Sequence, residues 1–322
     1  MSQSSPSKLL LKLSRQLFRA EPDQAEFIEA LTVPKLYLPC IAWCGDRPSA
    51  NPFDVEPPLP WQPTFVDRLR GTPKPGQHPL HEAGAFYCLD FSSVFAASPL
   101  LSIAEQVTDS IIVDMCASPG GKSILAWNTL HPQQLICNEV IGKRVGALIS
   151  NLKRCHIHPA IALSADTQVL AEPFAHTADV VLVDAPCTGQ SLLAKGQKAP
   201  GCFHPVTINK NANRQKRILA NSAAVVAPGG YLLYMTCAYS PEENEQVCTW
   251  LLERFPQFQP LPVPALEPFQ SHLASIPCYR IFPQSGLGAG AFTVLFQNTE
   301  SGSKPSISLE NCSVRWRSHA VE

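Results

Sequence analysis

Two cysteines carry the strongest chemical signal in the chain. Cys187 follows Asp-Ala-Pro and Cys237 follows Met-Thr, each directly behind an apolar run, DVVLVD (179–184) and GYLLYMT (230–236). A thiolate is a soft nucleophile that adds to an electron-poor carbon and leaves again. A third segment, DMCASPGGKS (114–123), also trails an apolar run and ends like a phosphate loop. A phosphate loop needs Gly-x-x-x-x-Gly-Lys-Ser/Thr, because the first glycine lets backbone N–H groups curl around the phosphates. Cys116 stands where that glycine should be, so the loop is read as holding a ligand other than a triphosphate.

The elements that must position these residues follow from periodicity. From 109 onward short apolar runs alternate with amphipathic ones: IIVDM (111–115), a helix from Gly121, LICNE (135–139), a helix over 141–155, AIALS (160–164) and DVVLVD. A helix over about 209–226, GYLLYMT and a helix over 241–254 follow. Such alternation predicts an α/β fold, a doubly wound, mostly parallel sheet with crossover helices. CYRIF (278–282) and AFTVLFQ (291–297), joined by a Gly-rich turn, are expected to add a C-terminal antiparallel hairpin. Residues 1–108 are proline-studded, with helical periodicity near Leu9–Phe18 and Gln24–Leu31, and read as a helical and irregular N-terminal extension. The expected domain thus covers 109–298, and the polar stretch 299–322 reads as a disordered tail.

Doubly wound sheets bind ligands at the carboxyl ends of their strands. Those ends carry Asp114 and its loop, Glu139, Asp166, Asp184 through Cys187, and Thr236-Cys237. Glu139 lies where an acid accepts hydrogen bonds from a ribose diol, and Asp166 is placed to receive an adenine amino group. Together they describe an adenosine whose tail meets the 116–122 loop. A nicotinamide dinucleotide would need GxGxxG, which is missing; an adenosine carrying methionine fits better. Beside such a methyl donor, a natural target for a thiolate is carbon 6 of cytosine, where addition makes carbon 5 nucleophilic.

DMCASPGGKS, DVVLVDAPCTGQ and YMTCAYSPEENE closely resemble three signature motifs of the RsmB/NOP/Sun family of S-adenosylmethionine-dependent RNA 5-methylcytosine methyltransferases, a likeness running from about 83 to 297. The resemblance implies a Rossmann-like class I methyltransferase sheet. It implies that Cys116, Ala117, Ser118, Pro119, Gly120, Gly121 and Lys122 hold the methionine part of the donor, Glu139 the ribose and Asp166 the adenine, with Arg144 and Asp184 completing that site. It further implies that Cys237 is the nucleophile and that Cys187 helps release the product. Asp184 then holds the cytosine edge and Lys122 helps place the base. Ser118 and Thr188 replace a more usual alanine and serine, and GLGAGAF (286–292) has alanine where many members carry an acid.

The substrate leaves its own trace. No acid occurs between Asp184 and Glu242, yet Lys195, Lys198, Lys210, Arg214, Lys216 and Arg217 all do. That run reads as a local phosphate-binding surface, which Lys143, Arg144, Lys153 and Arg154 would extend. The target cytosine must be single-stranded or flipped out. By family habit ribosomal RNA is expected before transfer RNA, and residues 1–108 are expected to dock it.

Composition narrows the rest. The 322 residues carry a net charge of −1, so a polyanion site has to be local. No apolar run approaches the roughly 20 residues of a membrane span. A soluble, cytoplasmic monomer is expected. Lys8, Lys12, Arg15 and Arg19 suit an amphipathic first helix better than a transit peptide. The 12 cysteines are scattered without CxxC pairs and are expected to be reduced. Cys40/Cys44 and Cys155/His156/His158 lack a second half for zinc, and no metal is expected. Two other readings remain open: an RNA-binding or assembly protein that has lost catalysis, and a DNA cytosine methyltransferase, which would use the Pro-Cys cysteine as nucleophile.

Overall fold

The computed structural model describes residues 6–71, 73–310 and 312–318. The chain opens with α1 (Lys8–Leu17) and α2 (Glu21–Thr32), followed by β1 (Cys40–Trp43), β2 (Val66–Arg68), α3 (Pro79–Glu82), β3 (Phe86–Leu89) and α4 (Phe91–Ala97). It continues with β4 (Ile111–Asp114), α5 (Gly121–Leu130), β5 (Gln134–Asn138), α6 (Gly142–Arg154), β6 (Ala160–Leu163), α7 (Thr167–Ala171) and β7 (Ala178–Asp184). Then come α8 (Pro205–Val225), β8 (Val226–Thr236), α9 (Glu245–Arg254), β9 (Phe258–Pro260), β10 (Tyr279–Ile281), β11 (Ala291–Asn298) and β12 (Val314–Arg317).

The large sheet runs β10-β11-β8-β7-β4-β5-β6-β12, with β9 also on β11. β4 pairs in parallel with β5 and β7, β5 with β6, and β7 with β8. β10 and β11 form the expected antiparallel pair. Helices cover both faces, so the inner strands are buried on both sides and read as continuous apolar runs. The chain runs outward from β4 in one direction through β5 and β6, then returns to β7 on its other side. This reversal opens a crevice at the carboxyl ends of β4 and β7.

Three elements differ from expectation. α8 starts at Pro205 rather than near 209: the His204 ring accepts from Val206 N–H at 3.2 Å, and proline loses nothing at the first helical position. Residues 1–108, expected to lack sheet, form a second antiparallel sheet ordered β2-β1-β3. Its strands of three or four residues are too short to show a period, and β1 is buried on both faces. Its Trp61, Phe91 and Phe95 join one core cluster with Ile112, Leu125 and Leu295. Third, Val314–Arg317, within the expected disordered tail, pairs antiparallel with β6 as β12, because its alternating Val-Arg-Trp-Arg half-buries one face against that edge.

One buried ion pair ties the C-terminal strands to α9. Arg280 grips Glu245 with both Nε and a terminal nitrogen, and the two side chains are 4% and 3% exposed. Ser271 Oγ donates to Glu245 at 2.6 Å, and Arg280 donates to Tyr239 O at 2.8 Å. Removing one partner of a buried pair strands the other charge. Glu245→Gln is therefore expected to cost about 3–5 kcal/mol of unfolding free energy, read as a lowered urea midpoint with unchanged slope. A midpoint equal to the parent's would show that the pair contributes nothing.

Candidate functional site

The strand ends converge as the topology requires. A cleft of about 440 Å³ is lined by Cys116, Ser118, Lys122, Glu139, Arg144, Asp166, Asp184, Cys187, Arg214, Arg217 and Cys237, among others. At one end, Asp166 caps α7, accepting from Gln168 N–H at 3.0 Å. Glu139 is buried and accepts from Ile141 N–H at 2.8 Å, with Arg144 3.2 Å from its other oxygen. Arg144 also donates to Ser118 O, and Ser118 Oγ returns a bond to Arg144 O at 3.0 Å. The turn after β4 and the start of α6 are thus clasped together.

The turn itself divides into two sides. Cys116, Ser118 and Lys122 face the large cleft, whereas Ala117, Pro119 and Gly121 line a smaller cavity that also borders Lys122 and Asp184. Gly120 faces neither; its φ of +112° starts α5, and an added Cβ would sit 3.3 Å from Leu148. Asp114, fully buried beneath the turn, accepts from Ser123 Oγ at 2.6 Å and Cys116 N–H at 3.1 Å. Burial pushes its carboxyl up to about 7 despite these donors.

At the other end lie the cysteines. Their sulfurs are 3.1 Å apart, and Lys122 Nζ is 2.8 Å from Asp184 Oδ2. Burial opposes the charge on Lys122, but Asp184 outweighs it and raises the ammonium's pKa. The Cys187 thiol, by hydrogen-bonding to Cys237, lowers the pKa of Cys237 against its burial; Ser191 and Lys122 add to this. The same bond, then burial, pushes Cys187 well up, with Glu243 adding repulsion. The hydrogen bond between the sulfurs thus favours ionisation at Cys237 over Cys187, with Asp184 opposing it.

Two residues that fix the cysteine loops gave no functional signal in the sequence. Glu243 is buried and accepts from Thr188 N–H (2.9 Å), Thr188 Oγ1 (2.6 Å) and Gln215 Nε2 (3.0 Å). Ser-Pro-Glu-Glu (240–243) spells a capping box, which would turn Glu243 back on its own helix. Instead it reaches across to the loop behind Cys187. Gln190 bridges the two loops: its amide donates to Ser240 Oγ at 2.6 Å and accepts from Tyr239 N–H at 2.6 Å. Nothing in the local sequence marks Gln190 apart from an ordinary loop glutamine.

The basic run is not one surface. Arg214 and Arg217 line the cleft, with Arg217 3.7 Å from Asp166. Lys210 precedes them at helical spacing and is exposed, as is Lys198. Lys216 lies over Trp250 at 5.8 Å on another face of α8. Lys195 pairs with Asp90 at 2.6 Å. An acid-free segment is thus partly neutralised by acids distant in sequence.

A family profile described as 16S rRNA methyltransferase RsmB/F matches residues 101–297. The ribosomal RNA small subunit methyltransferase F of Aliivibrio fischeri is 28% identical over 268 residues, 81% of this chain and 56% of that protein. The protein of the same name from Cronobacter sakazakii is 30% identical over 250 residues, 76% of this chain and 52% of its own. The chain spans about half the length of the curated relatives it matches. Among solved structures, a methyltransferase homolog from Pyrococcus horikoshii superimposes with a TM-score of 0.73 at 23% identity, covering 91% of this chain and 96% of that one. NSun6 from Pyrococcus horikoshii with SFG gives 0.70 at 19%, covering 92% and 99%. These likenesses establish the Rossmann-like methyltransferase fold. No helix among the described residues is long and apolar enough to cross a membrane.

The division of the thiol pair has a measurable consequence. Iodoacetamide is expected to label Cys237 before Cys187 near neutral pH. In Cys187→Ala, Cys237 loses the hydrogen bond that lowers its pKa, so the midpoint of its alkylation–pH curve should move upward. A midpoint that stays or falls, followed by peptide mass spectrometry, would refute this division of the proton.

Proposed function

Because the chain belongs to the 16S rRNA methyltransferase RsmB/F family, we propose that it transfers a methyl group from S-adenosylmethionine to carbon 5 of a cytosine in structured RNA, ribosomal RNA before transfer RNA. The single observation that carries this reading is the 3.1 Å approach of Cys187 and Cys237 at the rim of a cleft that also holds Glu139 and Asp166. An RNA-binding protein without catalysis has no use for a pair of thiols placed against an ion-paired lysine.

The donor fits the residues present. Glu139 offers acceptors for ribose hydroxyls, Asp166 an acceptor for an amino group, and the Cys116–Lys122 turn a wall for the methionine moiety. When bound there, S-adenosylmethionine supplies an electrophilic methyl group. The chain's own work begins with Cys237, whose thiolate adds to carbon 6 of the flipped cytosine. Lys122 and Asp184, held at 2.8 Å, meet the edge of the base, and the ammonium stabilises charge that develops as carbon 6 is attacked. The adduct places electron density on carbon 5. After methylation the carbon 5 proton must leave for the C–S bond to break. Cys187, 3.1 Å from the Cys237 sulfur, gives its own proton to solvent and then takes the carbon 5 proton as the C–S electron pair returns to Cys237. Arg214 and Arg217 border the same cleft and take RNA phosphates. Residues 1–108 dock the RNA beside the 109–298 catalytic unit.

Ribosomal RNA transcribed with 5-fluorocytidine provides the test, since fluorine at carbon 5 blocks release and traps the adduct. Wild type is expected to form a covalent complex that survives denaturing electrophoresis, and Cys237→Ala to form none. With unmodified RNA, Cys187→Ala is expected to accumulate the complex. An adduct lost in Cys187→Ala but retained in Cys237→Ala would reverse the roles, in favour of the DNA-type arrangement. No methyl transfer from labelled donor to any cellular RNA would remove the enzymatic reading.

A further inference from the structure

The ion pair between Asp90 and Lys195 borders the smaller cavity, of about 210 Å³, together with Tyr87, Gly121, Lys122 and Asp184. Lys122 and Asp184 also line the large cleft, so the two cavities meet at that pair. Cys187 and Cys237 line the large cleft, so with a donor bound there the target base reaches Cys237 past the Lys122–Asp184 pair, and the smaller cavity on the other side of that pair is left for the rest of its nucleotide. One wall of this cavity comes from the N-terminal sheet through Tyr87, and the opposite rim comes from the loop behind Cys187 through Lys195.

The pair is built rather than incidental. Asp90 caps α4, and its Oδ1 accepts from Ser92 N–H at 2.8 Å and from the Ser92 hydroxyl. Its Oδ2 is left for Lys195, at 2.6 Å. Position 288 has room beside the same carboxylate only for glycine: an added Cβ would stand 2.8 Å from Asp90 Oδ1 and 2.7 Å from Ser92 N, at a φ of +155°. Burial would raise the pKa of Asp90, but Lys195 and Ser92 together lower it, so the carboxylate stays ionised. Lys195 ends the 3₁₀ turn 190–195 and is stopped by Gly196 in the left-handed region. Its side chain is 31% exposed against 13% for Asp90. An ammonium has three donors; Asp90 takes one, and the exposed head keeps the others for a second anion.

We propose that Asp90 is a positioning residue that holds Lys195 at the mouth of the smaller cavity, where Lys195 grips the phosphate adjoining the flipped cytidine. This rests on the methyltransferase reading above. It separates Lys195 from Arg214 and Arg217: those meet the backbone along the cleft, whereas Lys195 acts on the target nucleotide itself. An ammonium already fixed by a capped carboxylate loses little freedom when it meets the phosphate.

The test uses the full chain and the 5-fluorocytidine ribosomal transcript at saturating concentration. Lys195→Met is expected to slow adduct formation about tenfold, the equivalent of one charge-assisted hydrogen bond, and Lys195→Arg to restore most of the rate. Asp90→Asn keeps the helix cap, because asparagine caps as well as aspartate. It should also be slower, and the double variant no slower than Lys195→Met alone. Affinity for S-adenosylmethionine, measured by calorimetry, should stay within about twofold of the parent in all of them, a shift under half a kcal/mol. The proposal is overturned if Lys195→Met matches the parent rate, if the two losses multiply, or if donor affinity falls with the rate. A parent that forms no adduct while the variants bind donor normally instead removes the underlying function, and this role with it.

Discussion

The site depends on one constraint: β7 and β8 must lie side by side, in parallel and in register. Asp184 stands opposite Met235, so Cys187 and Cys237, a few residues beyond, leave the sheet at the same height. Adjacent strands are about 4.8 Å apart, and two short loops then bring the sulfurs to 3.1 Å. Register alone does not hold the loops there. Ser191 N–H donates to Cys237 O at 3.2 Å, Gln190 bridges to Tyr239 and Ser240, and Glu243 anchors Thr188. Tyr239 in turn is bonded by Arg280, which Glu245 fixes. A chain of buried polar groups thus runs from the hairpin to the nucleophile.

The close approach of the two sulfurs gives this arrangement its chemistry. Two thiols in water would titrate almost independently. Held 3.1 Å apart, they share protons as a unit, and the bond from Cys187, helped by Ser191 and Lys122 and opposed by Asp184, favours ionisation at Cys237. Glu243 acts on the other sulfur, where a carboxylate disfavours ionisation. Asymmetry between chemically identical residues therefore arises from neighbours on different elements.

The parallel sheet and most acids and cysteines of the cleft were legible in the sequence because both faces of each inner strand are buried. Apolar runs then end abruptly at polar residues, and those ends are where ligands meet the fold. Residues acting across loops were not legible. Glu243 looks like a local cap, and Gln190 resembles any loop amide, because their partners are distant in sequence. The six-cation run is split for a related reason: Asp90 and Asp166 lie far upstream of Lys195 and Arg217, so counting nearby acids does not show these pairings. The short strands 40–43, 66–68 and 86–89 carry too few residues for a period to appear, and prolines between them suggested irregular chain.

The strand Val314–Arg317 closes the β6 edge of the large sheet. Arg315 and Arg317 point outward from it and are exposed, while Lys153 lies 5.9 Å from the ring of Trp316. An uncovered edge offers free N–H and C=O groups to any other strand. Here β12 takes over that edge, and its two exposed arginines would repel the same strand of a second copy. The register of that edge is thus set by four residues whose arginines alternate with the half-buried Val314 and Trp316.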